Sequence, residues 1–453
     1  MLSNTSLIYL MKKLRYLALF SFILFLPFLL RAQTNTDTIK TVTLKQCVDF
    51  ALRNQPVVRQ AAIDEAINEK DIGISLSAWL PQITGSGLYD YYLKGTPIVP
   101  TTGSSSSGSG SLNNLSTLGL QANQVIYNND VLQAAKAAKY SRLYYKENTT
   151  SSQINVVSDV SKAFFDVLLS QKQLDILNED ITRLQRSLKD AYSQYQAGVV
   201  DKTDYKQATI ALNNSLASRK QTEEAIKSKF AYLKQIMGFN PNNQLTLSYD
   251  STRYESEAAI DTNQKLDINN RIEYQLLQTQ KSLQNVNVNY YKWGFLPSVS
   301  ATGVYNLFYL SNNFSTLYDR SFPNSYVGLT LNVPIFQGNK RLKNLSKARL
   351  QVNRADLDII NSRNTINTEY VQAIASYKSN FTNWQFLKQN VDLAKDVYHV
   401  VSLQYREGIK TYLDVIIAQS DLRTAELNYY NALFQLLSSK IDLEKALGIL
   451  TVQ

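Results

Sequence analysis

The sequence predicts a mostly α-helical protein with a small β part, built as two copies of one strand–long-helix repeat. Three observations predict this. Two 67-residue stretches, 130–196 and 340–406, contain neither Pro nor Gly. Four short runs alternate apolar and polar residues, the period of a β-strand. Four local patterns recur in the same order about 210 residues apart, the mark of an internal repeat.

The N-terminus comes first in chain order. An apolar run, Leu14–Leu30, has Lys12, Lys13 and Arg15 at its start and precedes Arg31, Ala32 and Gln33. A basic start, an apolar centre and a small residue predict a secretory signal over 1–32. No Cys stands at the cleavage region, which excludes a lipoprotein anchor. Removing the four basic residues of this segment, which holds no acidic one, lowers the net charge from +10 to +6. That balance, without a basic cluster, gives no case for nucleic-acid binding. No later stretch approaches 18 apolar residues, so entry into a bilayer would have to be through β-strands.

The repeat is carried by four anchors. Tyr195–Asp204 (YQAGVVDKTD) matches Tyr405–Asp414 (YREGIKTYLD) at an offset of 210, and the same offset carries Gly238 onto Gly448. Ala78–Gly87 matches Gly294–Gly303, and Val125–Asp130 matches Pro334–Asn339, with small changes of offset in loop-like segments. The division expected is a first repeat over 33–239, an inter-repeat segment over 240–269 and a second repeat over 270–453. Each repeat reads helix, strand, loop, strand, long helix, turn, helix.

Helices are expected before the strands at about Leu44–Trp79 and Asn270–Phe295. The strands follow. Ile83, Gly85, Gly87, Tyr89 and Tyr91 oppose Gln82, Thr84, Ser86 and Asp90. Leu118–Val125, Ser298–Tyr309 and Tyr326–Val333 alternate in the same way. About ten residues, apolar on one face, polar on the other and Tyr at the ends, is the pattern of a transmembrane β-strand; a soluble sandwich strand shows the same alternation. Four strands cannot close a barrel, because about eight is the minimum, so membrane strands would require oligomerisation. The loop Lys94–Asn114, rich in Gly and Ser, is expected to be mobile.

The long helices, each about 100 Å at about 1.5 Å per residue, demand a coiled-coil explanation. Leu174, Leu177, Ile181, Leu184, Leu188, Ala191 and Tyr195 step by three and four, and Trp384, Leu387, Val391, Ala394, Tyr398, Val401 and Tyr405 occupy the positions 210 later. Gly198 and Gly408 suit left-handed C-caps. Asp201 with Asp204, and Thr411 with Asp414, have capping spacing for returning helices over Lys202–Met237 and Tyr412–Leu447. Those helices would stack end to end with the pre-strand helices.

Little chemistry is on offer. One Cys allows no intrachain disulfide, and one Cys with one His argues against a zinc site. Cys47 reads as a small packing residue and His399 as a helix-surface residue. No cluster supplies nucleophile, base and oxyanion donors, so no enzyme activity, metal or cofactor is expected.

Together Thr43–Pro56 (TLKQCVDFALRNQP), the strand starts Leu80-Pro81 and Leu296-Pro297, Val333–Arg341 (VPIFQGNKR) and the two Y-x-x-G-x-x-x-x-x-D turns resemble the TolC-like outer membrane efflux protein family, over essentially all of the mature chain. The resemblance implies a homotrimer in the outer membrane, with a twelve-stranded β-barrel on a long periplasmic α-helical barrel. It implies passive conduction of substrates delivered by a periplasmic adaptor and an inner-membrane pump. It implies a periplasmic gate of Thr203, Asp204, Tyr405, Lys410 and Asp414, with contacts of Asp204 to Tyr405 and of Thr203 to Lys410 between neighbouring hairpins. Ile417 stands where relatives often carry a second carboxylate, so one ring of three Asp414 is expected. Adaptor docking is implied at the hairpin tips, Gly198, Val199, Val200, Gly408, Ile409 and Thr411. Helix capping by Asp204 and Asp414, and packing by Tyr195 and Tyr405, are the plainer readings of the same residues. The rival to a duct is a periplasmic coiled-coil scaffold or adaptor without a pore.

Overall fold

The computed structural model describes residues 42–94, 113–248 and 251–450. The signal expected over 1–32 and most of the Gly/Ser-rich loop lie outside the described residues. Two compact units are distinguished. In the small one, the Val42 N–H donates to the Thr246 carbonyl and Val42 forms a parallel bridge with Leu247. The large one, Thr43–Pro241 with the chain from Ser248 onward, contains both repeats.

The large unit begins with α1 (Leu44–Asn54) and α2 (Pro56–Leu76). One continuous helix to Trp79 was the expectation, and the structure corrects it. Pro56 has no N–H to donate and forces Gln55 into an extended conformation (φ −63°, ψ 123°), so a second helix starts at Pro56. Ser77–Trp79 closes it as a 3₁₀ turn. Thr43 caps α1 in a capping box with Gln46. Strand β1 (Gln82–Tyr91) follows, then β2 (Asn114–Tyr127). The long helix α3 spans Asn129–Gln196 and returns as α4 (Lys202–Met237). A short helix α5 (Ser251–Glu257) lies between the repeats. The second repeat supplies α6 (Ile272–Trp293), β3 (Ser298–Ser311), β4 (Ser321–Asn332), the long helix α7 (Lys340–Arg406) and its return α8 (Tyr412–Leu447).

The long and returning helices match their expected bounds to within one residue, because Gly, Pro and capping residues mark both ends. The strands run longer than expected at β2, β3 and β4, since pairing with a neighbour extends a strand past its clean alternation. Pro323 lies inside β4, opposite Leu307, a position open to Pro on an edge strand.

The four strands form one antiparallel sheet in the order β1-β2-β3-β4. The second pairing joins the two repeats. Both β1 and β4 have an edge without a strand partner among the described residues. Facing residues share a side of the sheet. One side carries Ile83, Ala122, Leu120, Ala301, Leu329 and Leu331, and the other carries Gln82, Asn123, Thr302, Thr330 and Asn332. The apolar side is uncovered in the single chain: Val327 is 90% exposed and Leu329 74%.

The core lies among the helices. Helix α3 packs against α2 and α4 of its own repeat and against α6 and α8 of the other. Its seam is therefore filled: Leu177, Ile181, Leu184 and Ala191 are buried. Helix α7 packs on α6 and α8, and of its seam only Val391 is buried. Leu350, Leu357, Phe386 and Leu393 of α7 remain exposed. The end-to-end stacking is visible at two glycines. A Cβ on Gly238 would lie 2.6 Å from the Asn54 carbonyl oxygen at the α1–α2 break, and one on Gly448 2.8 Å from the Asn270 carbonyl oxygen just before α6.

Candidate functional site: the hairpin tips and the sheet

Four helices end in the same way, and two of these ends make the tips. At the end of α3 the Val199 N–H donates to the Gln194 carbonyl and the Gly198 N–H to the Tyr195 carbonyl, with Gly198 at φ 72°. At the end of α7 the Ile409 N–H donates to Gln404 and the Gly408 N–H to Tyr405, with Gly408 at φ 74°. These are Schellman motifs, and a left-handed residue is what turns the chain back. Val199 and Ile409, at matching positions, both present exposed apolar side chains at the tips.

The returning helices are capped differently. Thr411 and Asp414 form a reciprocal box, the Thr411 hydroxyl and N–H both donating to the Asp414 carboxylate at 2.7 and 2.9 Å. These bonds, with Lys410 at 3.8 Å, hold the Asp414 carboxyl below the usual carboxylate range. On α4 the cap is Asp201 alone, which accepts from the Thr203 hydroxyl at 2.6 Å and the Thr203 N–H at 2.8 Å. The box expected between Asp201 and Asp204 is not formed, because Thr203 takes the Asp201 carboxylate.

The two tips of one chain are pinned together. Ala191, Ala208 and Tyr412 form a buried cluster against Leu188, Tyr205, Tyr405 and Ile416, which brings α3, α4, α7 and α8 to one place. The Tyr405 ring packs 5.8 Å from that of Tyr412 with the planes tilted by 58°, and its hydroxyl donates to Gln194 at 2.8 Å across the two hairpins. Burial, more than the nearby Asp204 and Asp190 charges, lifts the Tyr405 phenol above its ordinary range. Within this chain, then, Tyr405 bonds to Gln194 and feels Asp204 through its charge, Thr203 bonds to Asp201, and Lys410 pairs with Asp414.

Farther from the tip lies a polar layer that periodicity did not pick out. Asp180 of α3, 1% exposed, accepts from Ser215 of α4 at 2.7 Å, from Gln419 of α8 at 2.9 Å and from Arg423 of α8 at 3.3 Å. Arg423 also donates to Ser215 at 2.9 Å. The positions 210 away from Asp180 and Ser215 are Asn390 and Ala425, so the repeat does not duplicate this layer. The available signal was a carboxylate interrupting the apolar run between Leu177 and Leu184.

The inter-repeat segment crosses the helices midway along α3 and α7. Tyr254 of α5 packs edge-on against Phe165 at 5.5 Å. Glu255 pairs with Lys388 of α7 at 2.6 Å and accepts from the Tyr429 hydroxyl of α8. The Tyr377 hydroxyl of α7 donates to the Ala258 carbonyl and accepts from the Ile260 N–H. Cys47 is buried and its thiol is pushed up to about 12, a packing residue rather than a nucleophile. His399 lies on the exposed side of α7. Among the described residues, no group of three His, Cys, Asp or Glu side chains could hold a metal, and no helix is long and apolar enough to cross a membrane.

Known proteins share this fold of two helical hairpins on a four-stranded sheet. The family model described as outer membrane efflux protein matches residues 48–239 and 263–449. The chain belongs to the outer membrane efflux protein family. The outer membrane protein TolC of Vibrio cholerae is 21% identical over 428 residues, covering 93% of this chain and 94% of that one. TolC of Escherichia coli is 22% identical over 431 residues, covering 90% and 83%. Among solved structures, the CmeC outer membrane channel of Campylobacter jejuni superimposes with a TM-score of 0.71 at 20% identity, covering 89% of this chain and 85% of that one. The open state of the MtrE outer membrane channel of Neisseria gonorrhoeae gives 0.69 at 16% identity, covering 89% and 88%. An outer membrane efflux protein of this family works as a duct, and its location is the outer membrane.

Proposed function

We propose that three copies of this chain form one outer-membrane duct of a tripartite efflux or type I secretion system, receiving substrate from a periplasmic adaptor and an inner-membrane pump. The observation that carries the reading is the sheet. It has two open edges, four strands and an apolar side left bare, features that a single chain leaves unsatisfied. Three sheets joined edge to edge give twelve strands, enough to close. The bare side runs from Val299 and Leu331 to Leu307 and Pro323. Eight residue steps at about 3.3 Å make about 26 Å along the strand, or about 20 Å of height at a tilt of about 40°, most of the ~25 Å of a lipid-facing band. The Tyr row beyond it, Tyr89 and Tyr309 with Tyr91, suits an interfacial girdle. The uncovered apolar stripe of α7 supplies the matching surface in the helical part, where a neighbouring chain's α2 and α4 would cover it.

The tips hold the gate in this reading. Thr203, Asp204, Tyr405, Lys410 and Asp414 lie at or within two turns of the two helical turns, and the pinned tips of one chain leave the contacts between chains to these side chains. Adaptor contacts fall on Gly198, Val199, Val200, Gly408, Ile409 and Thr411, where exposed Val199 and Ile409 supply apolar anchors. With Ile417 one turn past Asp414, the constriction carries three carboxylates, which weakens cation selectivity relative to two rings. The test is electrical. In planar bilayers, Asp204→Ala combined with Lys410→Ala is expected to raise single-channel conductance. Unchanged conductance would leave these residues with capping and surface roles alone.

A further inference from the structure

The strand register sorts the polar side of the sheet into rows that cross all four strands, counted outward from the helices. The first is Gln82–Asn123–Thr302–Gly328, the second Thr84–Gln121–Val304–Tyr326 and the third Ser86–Gly119–Asn306–Asn324. The third is built as a polar row. A Cβ on Gly119 would lie 2.5 Å from the Asn306 amide oxygen and 3.0 Å from the Ser86 hydroxyl, so Gly119 makes room for them. The fourth row is Leu88–Thr117–Phe308–Phe322. Polarity changes in a single step, and two phenylalanines face each other directly across β3 and β4.

Among the described residues, nothing covers this row fully. Leu88 is 52% exposed and Phe322 37%. The β3–β4 loop folds onto the opposite side of the sheet, where Tyr318 reaches the Ser116 hydroxyl at 3.3 Å and packs 5.1 Å from Tyr309, and Phe314 packs 5.7 Å from Tyr89. On the side bearing Phe308 and Phe322, Leu115 in the next row out is buried, while Leu88 and Phe322 stay open among the described residues. Arg320 lies 5.0 Å over the Phe322 ring, so one face of that ring already receives a cation.

Exposing Phe and Leu to a water-filled lumen costs solvation with no return inside the chain, unless something apolar visits the row. We propose that Leu88, Phe308 and Phe322 form a contact site inside the barrel for the aromatic or alkyl part of an amphipathic small molecule in transit. The site rests on the trimeric barrel reading above. Three chains bring six Phe, three Leu and three Thr side chains to the lumen in three inclined rows. The polar row beneath hydrates the rest of such a solute, and the aromatic faces suit a bulky organic cation.

The experiment is current block in planar bilayers, with the probe added from the sheet side. Tetraphenylphosphonium and tetramethylammonium carry the same charge and differ in aromatic surface. Tetraphenylphosphonium is expected to block at far lower concentration. Phe308→Ser with Phe322→Ser should raise its half-blocking concentration by about tenfold and leave tetramethylammonium unaffected. Phe308→Leu with Phe322→Leu, which keeps an apolar surface, should fall between. Block by the two cations at equal concentration, or an unchanged block in the Ser variant, overturns the site while leaving the barrel intact. Val327→Ser on the opposite side should change nothing. If it alone moves the block, the two sides of the barrel are reversed, and a parent protein that never conducts sinks the barrel reading itself.

Discussion

At the scale of residues, the polar layer around Asp180 decides how the two hairpins of one chain are held. A carboxylate at this depth is tolerable only while its partners are present. Asp180→Ala strands Arg423, Ser215 and Gln419 and is expected to cost about 3 kcal/mol or more. Replacing the layer together, as Asp180→Leu, Ser215→Ala, Gln419→Leu and Arg423→Met, is expected to restore most of the loss, because the desolvation of the charges disappears with them. Thermal midpoints followed by helical circular dichroism would separate the two variants; equal losses would show that packing rather than charge governs the layer. This layer was hard to read beforehand, since a buried Asp and an exposed Asp look alike until the third helix is placed. By contrast, Cys47 and His399 were legible from composition and position alone. Some of the 29 tyrosines gather in three settings: the outer row of the sheet, the crossing of the inter-repeat segment, and the pinned tips at Tyr205, Tyr405 and Tyr412.

At the scale of elements, the four Schellman glycines look equivalent in sequence and are not. Gly198 and Gly408 have open space where a Cβ would go, whereas Gly238 and Gly448 abut a carbonyl of the next helix in the stack. All four have positive φ. Alanine at Gly198 or Gly408 is expected to cost about 1–2 kcal/mol for the left-handed conformation alone. Alanine at Gly238 or Gly448 should lower the thermal midpoint clearly further, because the backbone on both sides must move. Equal shifts at all four would show that the helix ends do not bear on one another. The turns and helix ends were legible because Gly, Thr and Asp mark them by mechanism. The break at Pro56 was legible too, and was passed over in favour of a single long pre-strand helix. Strand ends were not legible, because they depend on what pairs alongside. Repeat identity also hid a difference: α3 is enclosed on several sides and α7 is not, although their apolar seams match position for position.

At the scale of the whole molecule, the unsatisfied features converge. The open edges of β1 and β4, the bare apolar side of the sheet and the uncovered stripe of α7 each need a partner; in the proposed trimer two further copies of the chain would pair the edges and cover the stripe, and lipid would cover the bare side. Scarce Gly and Pro reflect two uninterrupted long helices, and scarce Cys and His fit a duct whose work is geometric. The proposed gate at the tips and the proposed aromatic contact row both depend on that assembly. The most direct measurement is the mass of the particle extracted in mild detergent, by native mass spectrometry. Three chains per particle is the predicted result, and a stable single chain would contradict the account.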